Sequence, residues 1–201
     1  MDILDILKKY KEYNEGKSKE LIELLIEDQF FTELDFSDLD INYGKLLETT
    51  FEKCNFTDVY MSGASLCGSS FKNCIFSKNM FQKGRADYAY FFNTDLNYFD
   101  GFRASFYETE FENLRINISL LKSCHLSNTM FKKVLFINTD LSDTNFSNAN
   151  FENVKFIKCH FENTIFKNNK GMDKLTFENV DLQLGSDLKK GIGNEIIRYF
   201  Q

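Results

Sequence analysis

The chain has 201 residues, enough for one domain with small appendages, and 43% of them are hydrophobic, which allows a sizeable core. A net charge of −6 argues against a nucleic-acid-binding protein built on basic patches, and no apolar run approaches the roughly 18 residues that span a membrane. Five cysteines without paired spacing favour reduced thiols, and the acidic start favours a cytoplasmic location over secretion.

Residues 1–28 are predicted to form a helical cap. One apolar face at helical spacing is made of Ile3, Leu4, Leu7 and Tyr10. After a break at Asn14 and Gly16, a second helical spacing is formed by Leu21, Leu24, Leu25 and Asp28. Leu25 is expected to face the domain that follows, and the segment to act as an N-terminal lid.

From residue 31 to residue 166, every fifth residue is large and apolar with two exceptions. Of these 28 positions, 17 are Phe, six Leu, two Ile and one Met, and only Ala86 and Gly101 depart from the pattern. The phase never slips, which neither a helix nor an ordinary strand can produce. The residue two places earlier is small at 22 of the 28 positions. The repeated unit is therefore small, any, large apolar, polar, polar.

A unit with two inward side chains has to turn after every five residues, and four turns close a square coil of 20 residues. We number the four faces by the columns that begin at Phe31, Phe36, Ile41 and Leu46. The first column is entirely Phe, which predicts a stacked aromatic ladder. Asn recurs two residues after these Phe, where turns and side-chain ladders favour it, at Asn73, Asn93, Asn113 and Asn153.

This pattern resembles the pentapeptide-repeat family, whose consensus unit is A(D/N)LxX with Leu or Phe at its centre. The resemblance covers about residues 29–184 and implies an all-β solenoid, a right-handed quadrilateral parallel β-helix. The N-terminal helical cap would precede it, and residues 185–201 would add a short C-terminal helix. Some Qnr relatives carry loops between coils, and the unbroken phase places this chain with the loop-free members.

The phase breaks at residues 168–171 and resumes one residue later, with Leu175/Phe177 and Val180/Leu182 as small/large pairs. The last segment is rich in apolar residues, namely Ile192, Ile196, Ile197, Tyr199 and Phe200. Its resemblance to the gyrase-interacting Qnr and MfpA proteins implies a homodimer through these residues. The alternative is that the segment folds back as a lid on the last coil.

The sequence contains no recognisable catalytic constellation. His125 and His160 each precede a core position, so they point outward on different faces, and four of the five Cys occupy the small inward slot. Acidic pairs lie on flat walls without a predicted cleft. We therefore expect a protein that is not an enzyme and needs neither a cofactor nor a metal.

Two sets of outward residues are candidate partner-binding sites. The acidic set lies along the first face, at Glu33, Glu52, Glu110, Glu112 and Glu152. The aromatic set belongs to the central coils, at Tyr88, Tyr90, Phe92, Tyr98, Phe102 and Tyr107. Local repacking explains the aromatic set equally well, because Ala86 and Gly101 leave the axis short of volume and Phe99 is expected to fill it. A further outward apolar group lies along the second face, at Ile118, Leu135, Ile137 and Ile157.

The resemblance implies a DNA mimic that binds DNA gyrase or another topoisomerase and modulates it or protects it from quinolones or toxins. The charge fits this poorly, because residues 29–168 carry 17 acidic and 14 basic side chains, whereas duplex DNA carries about one negative charge per ~1.7 Å. The alternative is a protein–protein interaction scaffold with an unrelated partner, which the exposed aromatic and aliphatic groups favour. Neither hypothesis involves direct contact with nucleic acid or a membrane.

Overall fold

The structure, a computed structural model, describes residues 3–19, 23–184, 187–191 and 194–200. Its elements in chain order are helix α1 (Ile3–Asn14), strands β1 (Leu25–Glu27), β2 (Phe30–Thr32), β3 (Lys45–Leu47), β4 (Thr50–Glu52), β5 (Asn55–Thr57), β6 (Ser70–Lys72), β7 (Ile75–Ser77), β8 (Tyr90–Phe92), β9 (Asp95–Asn97), β10 (Glu110–Asn117), β11 (Met130–Ile137), β12 (Asn150–Glu152), β13 (Lys155–Ile157) and β14 (His160–Glu162), a 3-10 helix (Met172–Lys174), strands β15 (Thr176–Glu178), β16 (Val180–Leu184) and β17 (Asp187–Gly191), and a 3-10 helix (Asn194–Tyr199).

Strands on the first two faces pair in parallel with the strand one coil away. Phe51 lies opposite Phe71, and Phe111 lies opposite Phe131, so the register is 20 residues. The other two faces are held mainly by isolated parallel bridges in the same register. The result is a parallel β-solenoid of about eight turns, which confirms the predicted right-handed quadrilateral β-helix.

Each corner of the solenoid is made by a residue in the left-handed backbone conformation. Every fifth residue from Asp28 to Asn168 has a positive φ, always two places after the central inward residue of the unit. Asn is frequent at these positions because it tolerates this conformation better than most residues. On the first face these amides also form a ladder, in which Asn93 donates to Asn73 at 2.6 Å and Asn113 donates to Asn93 at 2.9 Å.

The large inward residues fill the axis as stacked columns. On the first face, neighbouring Phe rings lie 4.9–5.6 Å apart from Phe31 to Phe151, which confirms the predicted ladder. Most small residues beside them are buried, and where they are Ser or Thr the hydroxyl in most cases donates to a carbonyl 23 residues earlier in the chain. Thr109, for example, donates to the carbonyl of Ala86 at 2.7 Å. Thr therefore suits this slot because it is small and its one polar atom is satisfied.

The N-terminal segment differs from the sequence prediction in its second half. The first helix is present as α1, and the break after Asn14 is confirmed at Gly16, which has a φ of 72°. The predicted second helix is wrong at residues 25–27, because these form β1, paired in parallel with β3. Ile26 is buried and Leu25 is 51% exposed, so Leu25 does not face the core. Ile26 lies five residues before Phe31, and the repeat therefore begins inside the segment assigned to the cap. No helix among the described residues is long and apolar enough to cross a membrane.

The last coil contains one extra residue, as the sequence predicted. Phe156 lies opposite Phe177, a spacing of 21 residues. The change of phase coincides with Gly171, where an added Cβ would lie 2.0 Å from the carbonyl oxygen of Phe151. The predicted C-terminal helix over residues 185–201 is wrong in its first part, because β17 pairs antiparallel with β16 there. Only the 3-10 helix Asn194–Tyr199 remains of it among the described residues.

Candidate protein-interaction surfaces

The outer walls of the solenoid carry side chains from three of every five residues, and their chemistry is set by the order of residues along each column. Within the described ranges, no three His, Cys, Asp or Glu side chains come together in a way that could hold a metal ion. The candidate surfaces are walls and corners that each extend over several coils.

The acidic set lies along the first face, as the sequence predicted, but lysines interrupt it. In the strand register, Glu52 lies opposite Lys72, and Lys132 lies between Glu112 and Glu152. Lys132 pairs with Glu112 at 2.8 Å. Alternation of this kind produces a charge ladder rather than an acidic stripe.

Two members of the acidic set form ion pairs within the chain. Glu33 pairs with Lys53 at 3.2 Å on the exposed corner. Glu112 accepts hydrogen bonds from Lys132 and from the Tyr90 hydroxyl, the latter at 3.1 Å, and these lower the pKa of its carboxyl. The lysines therefore compensate part of the charge that a DNA mimic would present.

The aromatic set is divided among several places on the coil. Phe102 lies on the third face beneath the Arg103 guanidinium, which is 4.9 Å from the ring centroid. Tyr98 lies at the corner between the second and third faces and is 54% exposed. The remaining four residues surround the corner between the fourth and first faces, and we call them the aromatic belt, namely Tyr88, Tyr90, Phe92 and Tyr107.

Within the aromatic belt, ring contacts link the residues in two pairs. Tyr88 and Tyr107 meet edge to face, with ring centroids 5.8 Å apart, and Tyr90 and Phe92 stack at 6.1 Å. Tyr88 is 57% exposed and the other three are partly exposed. The His125 ring lies 5.4 Å from Tyr107 and extends the belt by one coil. These contacts hold aromatic side chains in fixed positions at the surface, an arrangement typical of contact sites for proteins.

A buried carboxylate that the five-residue pattern does not predict supports the belt. Asp87 occupies an outward position yet is only 5% exposed. It pairs with Arg85 at 2.8 Å and accepts hydrogen bonds from the Ser105 hydroxyl at 2.5 Å and from the Tyr107 backbone N–H at 3.0 Å. This network fixes the backbone of Tyr107. The one signal in the sequence is the pair Arg85 and Asp87 on either side of the undersized Ala86.

The third face of the solenoid also has a surplus of acidic residues. Its outward positions contain Asp40, Asp100, Asp140, Asp143, Glu162 and Asp181 against Lys83, Arg103 and Lys122. Lys122 lies 3.6 Å from Asp143, whereas Asp100 accepts a hydrogen bond from Gln82 at 2.6 Å. The surplus consists of separate carboxylates rather than one continuous stripe.

The predicted dimer residues lie mainly against their own last coil. Ile196 is 1% exposed, and the Phe200 ring lies 4.5 Å from Phe166 and 5.3 Å from Phe161. Ile197 and Tyr199 are partly exposed, and Ile192 lies outside the described residues. This packing matches the alternative of a lid on the last coil. A homodimer through the segment stays a prediction.

Comparison with known families agrees with the repeat. The family described as pentapeptide repeats matches in eight copies over residues 35–73, 54–86, 119–148 and 131–168, together about half of the chain. The chain belongs to the pentapeptide-repeat family. Proteins of this family are generally structural or interaction proteins rather than enzymes. The unmatched residues 87–118 coincide with the irregular central coils that contain Asp87, Phe99 and Gly101.

Solved structures of the family resemble this chain in fold alone. Full-length QnrB1, a plasmid-mediated fluoroquinolone resistance protein, is 19% identical, with 79% of this chain and 84% of that chain covered and a TM-score of 0.37. HetL, a pentapeptide-repeat protein involved in the regulation of heterocyst differentiation in the cyanobacterium Nostoc, is 11% identical, with 88% and 97% covered and a TM-score of 0.37. A search of curated proteins finds no match.

Proposed function

We propose that this chain is a non-catalytic protein-binding module that contacts its partner through the aromatic belt. One observation supports this proposal most directly. Four aromatic side chains surround one corner of the solenoid, contact one another in two pairs and remain accessible to solvent. Tyr side chains suit such a site because they bury a large area with little loss of conformational freedom. The lack of a sequence motif for chemistry and the charge ladder on the first face support the same conclusion.

A site-specific photo-crosslinking experiment tests this proposal. A photoreactive phenylalanine analogue replaces Phe92 in the belt or, as a matched control, Phe102 on the third face, which is also partly exposed. We expect one protein of defined mass to be crosslinked from position 92 and not from position 102. The same yield at both positions, or no product at position 92, contradicts binding through the belt.

DNA gyrase is a second candidate partner, and the acidic surplus on the third face is the observation that favours it. In a DNA mimic, carboxylates stand in for phosphates on the basic surface that normally binds duplex DNA. Asp100 and Asp140 lie two coils apart on this face, and neither forms an ion pair among the described residues. The activity of gyrase would then depend on the third face rather than on the aromatic belt.

The measurement for the gyrase candidate is supercoiling of relaxed plasmid, with and without a quinolone, over a titration of this protein. If gyrase is a partner, cleavage complexes fall or supercoiling is inhibited at micromolar protein or below. The variant Asp100→Asn/Asp140→Asn then loses the effect, whereas Tyr90→Ser/Phe92→Ser keeps it. No change up to tens of micromolar protein ends this candidate and leaves the belt proposal intact.

A further inference from the structure

A ridge of apolar side chains crosses the second face in the C-terminal half of the solenoid. We call it the second-face ridge, and it consists of Tyr98, Ile118, Leu135, Ile137 and Ile157. Ile137 and Ile157 lie opposite each other in the register of β11 and β13, so their side chains are roughly 4.8 Å apart. The backbone N–H of Ile118 donates to the carbonyl of Ile137 at 3.0 Å, which places Ile118 beside them at the corner. Tyr98 occupies the same corner one coil earlier.

Ile118 is unusual in both conformation and exposure. Its φ is 50°, in the left-handed region that a β-branched residue rarely adopts, and its side chain is 45% exposed. One coil later the same corner is made by Asn138, a residue well suited to this conformation. The fold alone therefore gives little reason for an isoleucine here, because burial within the chain covers only part of the side chain. An apolar group of a partner that covers Ile118 would provide that burial.

Cations flank the ridge in a chain that is acidic overall. Three of them form no ion pair within the described part of the chain, namely Arg115, Lys133 and Lys158. Lys155 is the exception, since its ammonium lies 3.7 Å from Glu178. Asp95 lies opposite Arg115 in the register but forms no ion pair with it. These coils thus present a local surplus of positive charge, whereas the net charge of the chain is −6.

We propose that the second-face ridge binds an acidic, amphipathic segment of a partner protein. Apolar side chains of the segment would cover the ridge, Leu135 and Ile118 included, while its carboxylates would pair with the flanking cations. Charge complementarity selects this occupant, because a nucleic acid would satisfy the cations and leave the ridge exposed to water. The proposal rests on the function as a protein-binding module, but it uses a different face from the aromatic belt.

Fluorescence anisotropy with three labelled, designed peptides tests the proposal on the full chain. The first peptide repeats Glu-Glu-Leu-Leu, the second has Lys in place of Glu, and the third has Ser in place of Leu. We expect the first peptide to bind, and the other two to bind about tenfold more weakly or not at all, because each lacks half of the complementarity. Absence of binding by the first peptide, equal binding by the Lys peptide, or displacement of the first peptide by a DNA duplex overturns the proposal.

Matched variants locate the binding on the ridge. Leu135→Ser should weaken binding of the acidic peptide about tenfold, whereas Ile75→Ser, which changes a more exposed aliphatic residue in the same column outside the ridge, should leave it unchanged. Tyr90→Ser/Phe92→Ser should also leave it unchanged, so a failure of the belt proposal remains distinguishable from a failure of this one. Equal effects of Leu135→Ser and Ile75→Ser would place the peptide elsewhere and overturn the assignment.

Ile118→Asn separates binding from folding. It replaces the strained isoleucine by the residue found one coil later, so the unfolding temperature should rise while affinity for the acidic peptide falls about tenfold. If Ile118 contributed only to folding, a substitution that raises the unfolding temperature would not also weaken binding of the peptide. A variant that is more stable and binds the peptide as tightly as the wild type removes Ile118 from the site.

Discussion

The first-face column and the central coils fill the same axis in two different ways. From Phe31 to Phe151 the first face repeats one residue, and each ring stacks on the next. In the central coils, Gly101 on the third face and Ala86 on the fourth face take the place of the large inward residue. Beside Gly101, the missing volume is supplied by Phe99. Phe99 is 4% exposed and lies 3.0 Å from where a Cβ on Gly101 would be, as the sequence predicted.

This difference indicates that each coil needs a certain packed volume in its interior, and that different positions can supply that volume. Interiors are packed nearly as densely as organic crystals, so a void at Gly101 has to be filled by a neighbour. A regular column obtains its density from identical rings, whereas the central coils obtain it from a large side chain in a slot that is normally small. The two solutions should respond differently to mutation.

Loss of a ring from the regular column should have the largest effect. Phe71→Ala removes a fully buried ring between two stacked neighbours, and we expect a loss of about 4–5 kcal/mol in the free energy of unfolding, measured by urea denaturation. Phe31→Ala, in the same column but partly exposed at its end, is the control and should cost clearly less. Equal losses would mean that the column does not act as a stacked core.

The central coils should tolerate an exchange of positions. Phe99→Ser alone should cost about 3 kcal/mol because it empties the space beside Gly101. Adding Gly101→Leu to Phe99→Ser restores the ordinary order of small and large residues and should recover at least part of that loss. Urea denaturation of both single variants and the double variant gives the coupling energy between the two sites. Strictly additive effects would refute compensation between Phe99 and Gly101.

The five-residue period of apolar residues predicted most of the fold, because it determines which side chains point inward. The turn at each corner follows from this alternation of inward and outward side chains. The same rule missed Ile26, since Leu21, Leu24 and Leu25 also satisfy a helical spacing and short segments allow both interpretations. Strand pairing with β3 decided between them. The rule also cannot detect residues such as Asp87, because its burial depends on Ser105 and Tyr107 from the next coil.

Candidate surfaces were less predictable than the core for a physical reason. Residues that are close in the sequence can lie on different faces of the same coil. Phe102 and Tyr98 are close to the aromatic belt in the sequence, but they lie on other sides of the solenoid. Charge was more predictable, because Lys132 stands 20 residues after Glu112 and pairs with it in the structure. Sorting outward residues by 20 places such neighbours together.

The C-terminal end extends the comparison, since Phe200 supplies a ring to the last coil from outside the repeat. Phe200→Ser should lower the free energy of unfolding by about 1–2 kcal/mol and increase amide exchange in β14 and β15. Light scattering on the same variant examines the predicted homodimer. If the segment is only a lid on the last coil, the variant has the same molar mass as the wild type. A fall from dimer to monomer in the variant would assign Phe200 to a subunit interface.

The smallest effect concerns the reactivity of the cysteine thiols. We expect the position of each cysteine in the repeat to determine whether a reagent can reach its thiol, with no change in the stability of the protein. Cys54, Cys74, Cys124 and Cys159 fill small inward slots and are 1–2% exposed, whereas Cys67 points outward on the fourth face and is partly exposed. Burial raises the pKa of Cys159 to about 12 and that of Cys124 as well, which further suppresses their thiolates. A thiol reagent should therefore modify one cysteine quickly in the native protein, and Cys67→Ser should abolish that phase. Fast modification of a second cysteine would show that the coils open far more readily than a stacked core allows.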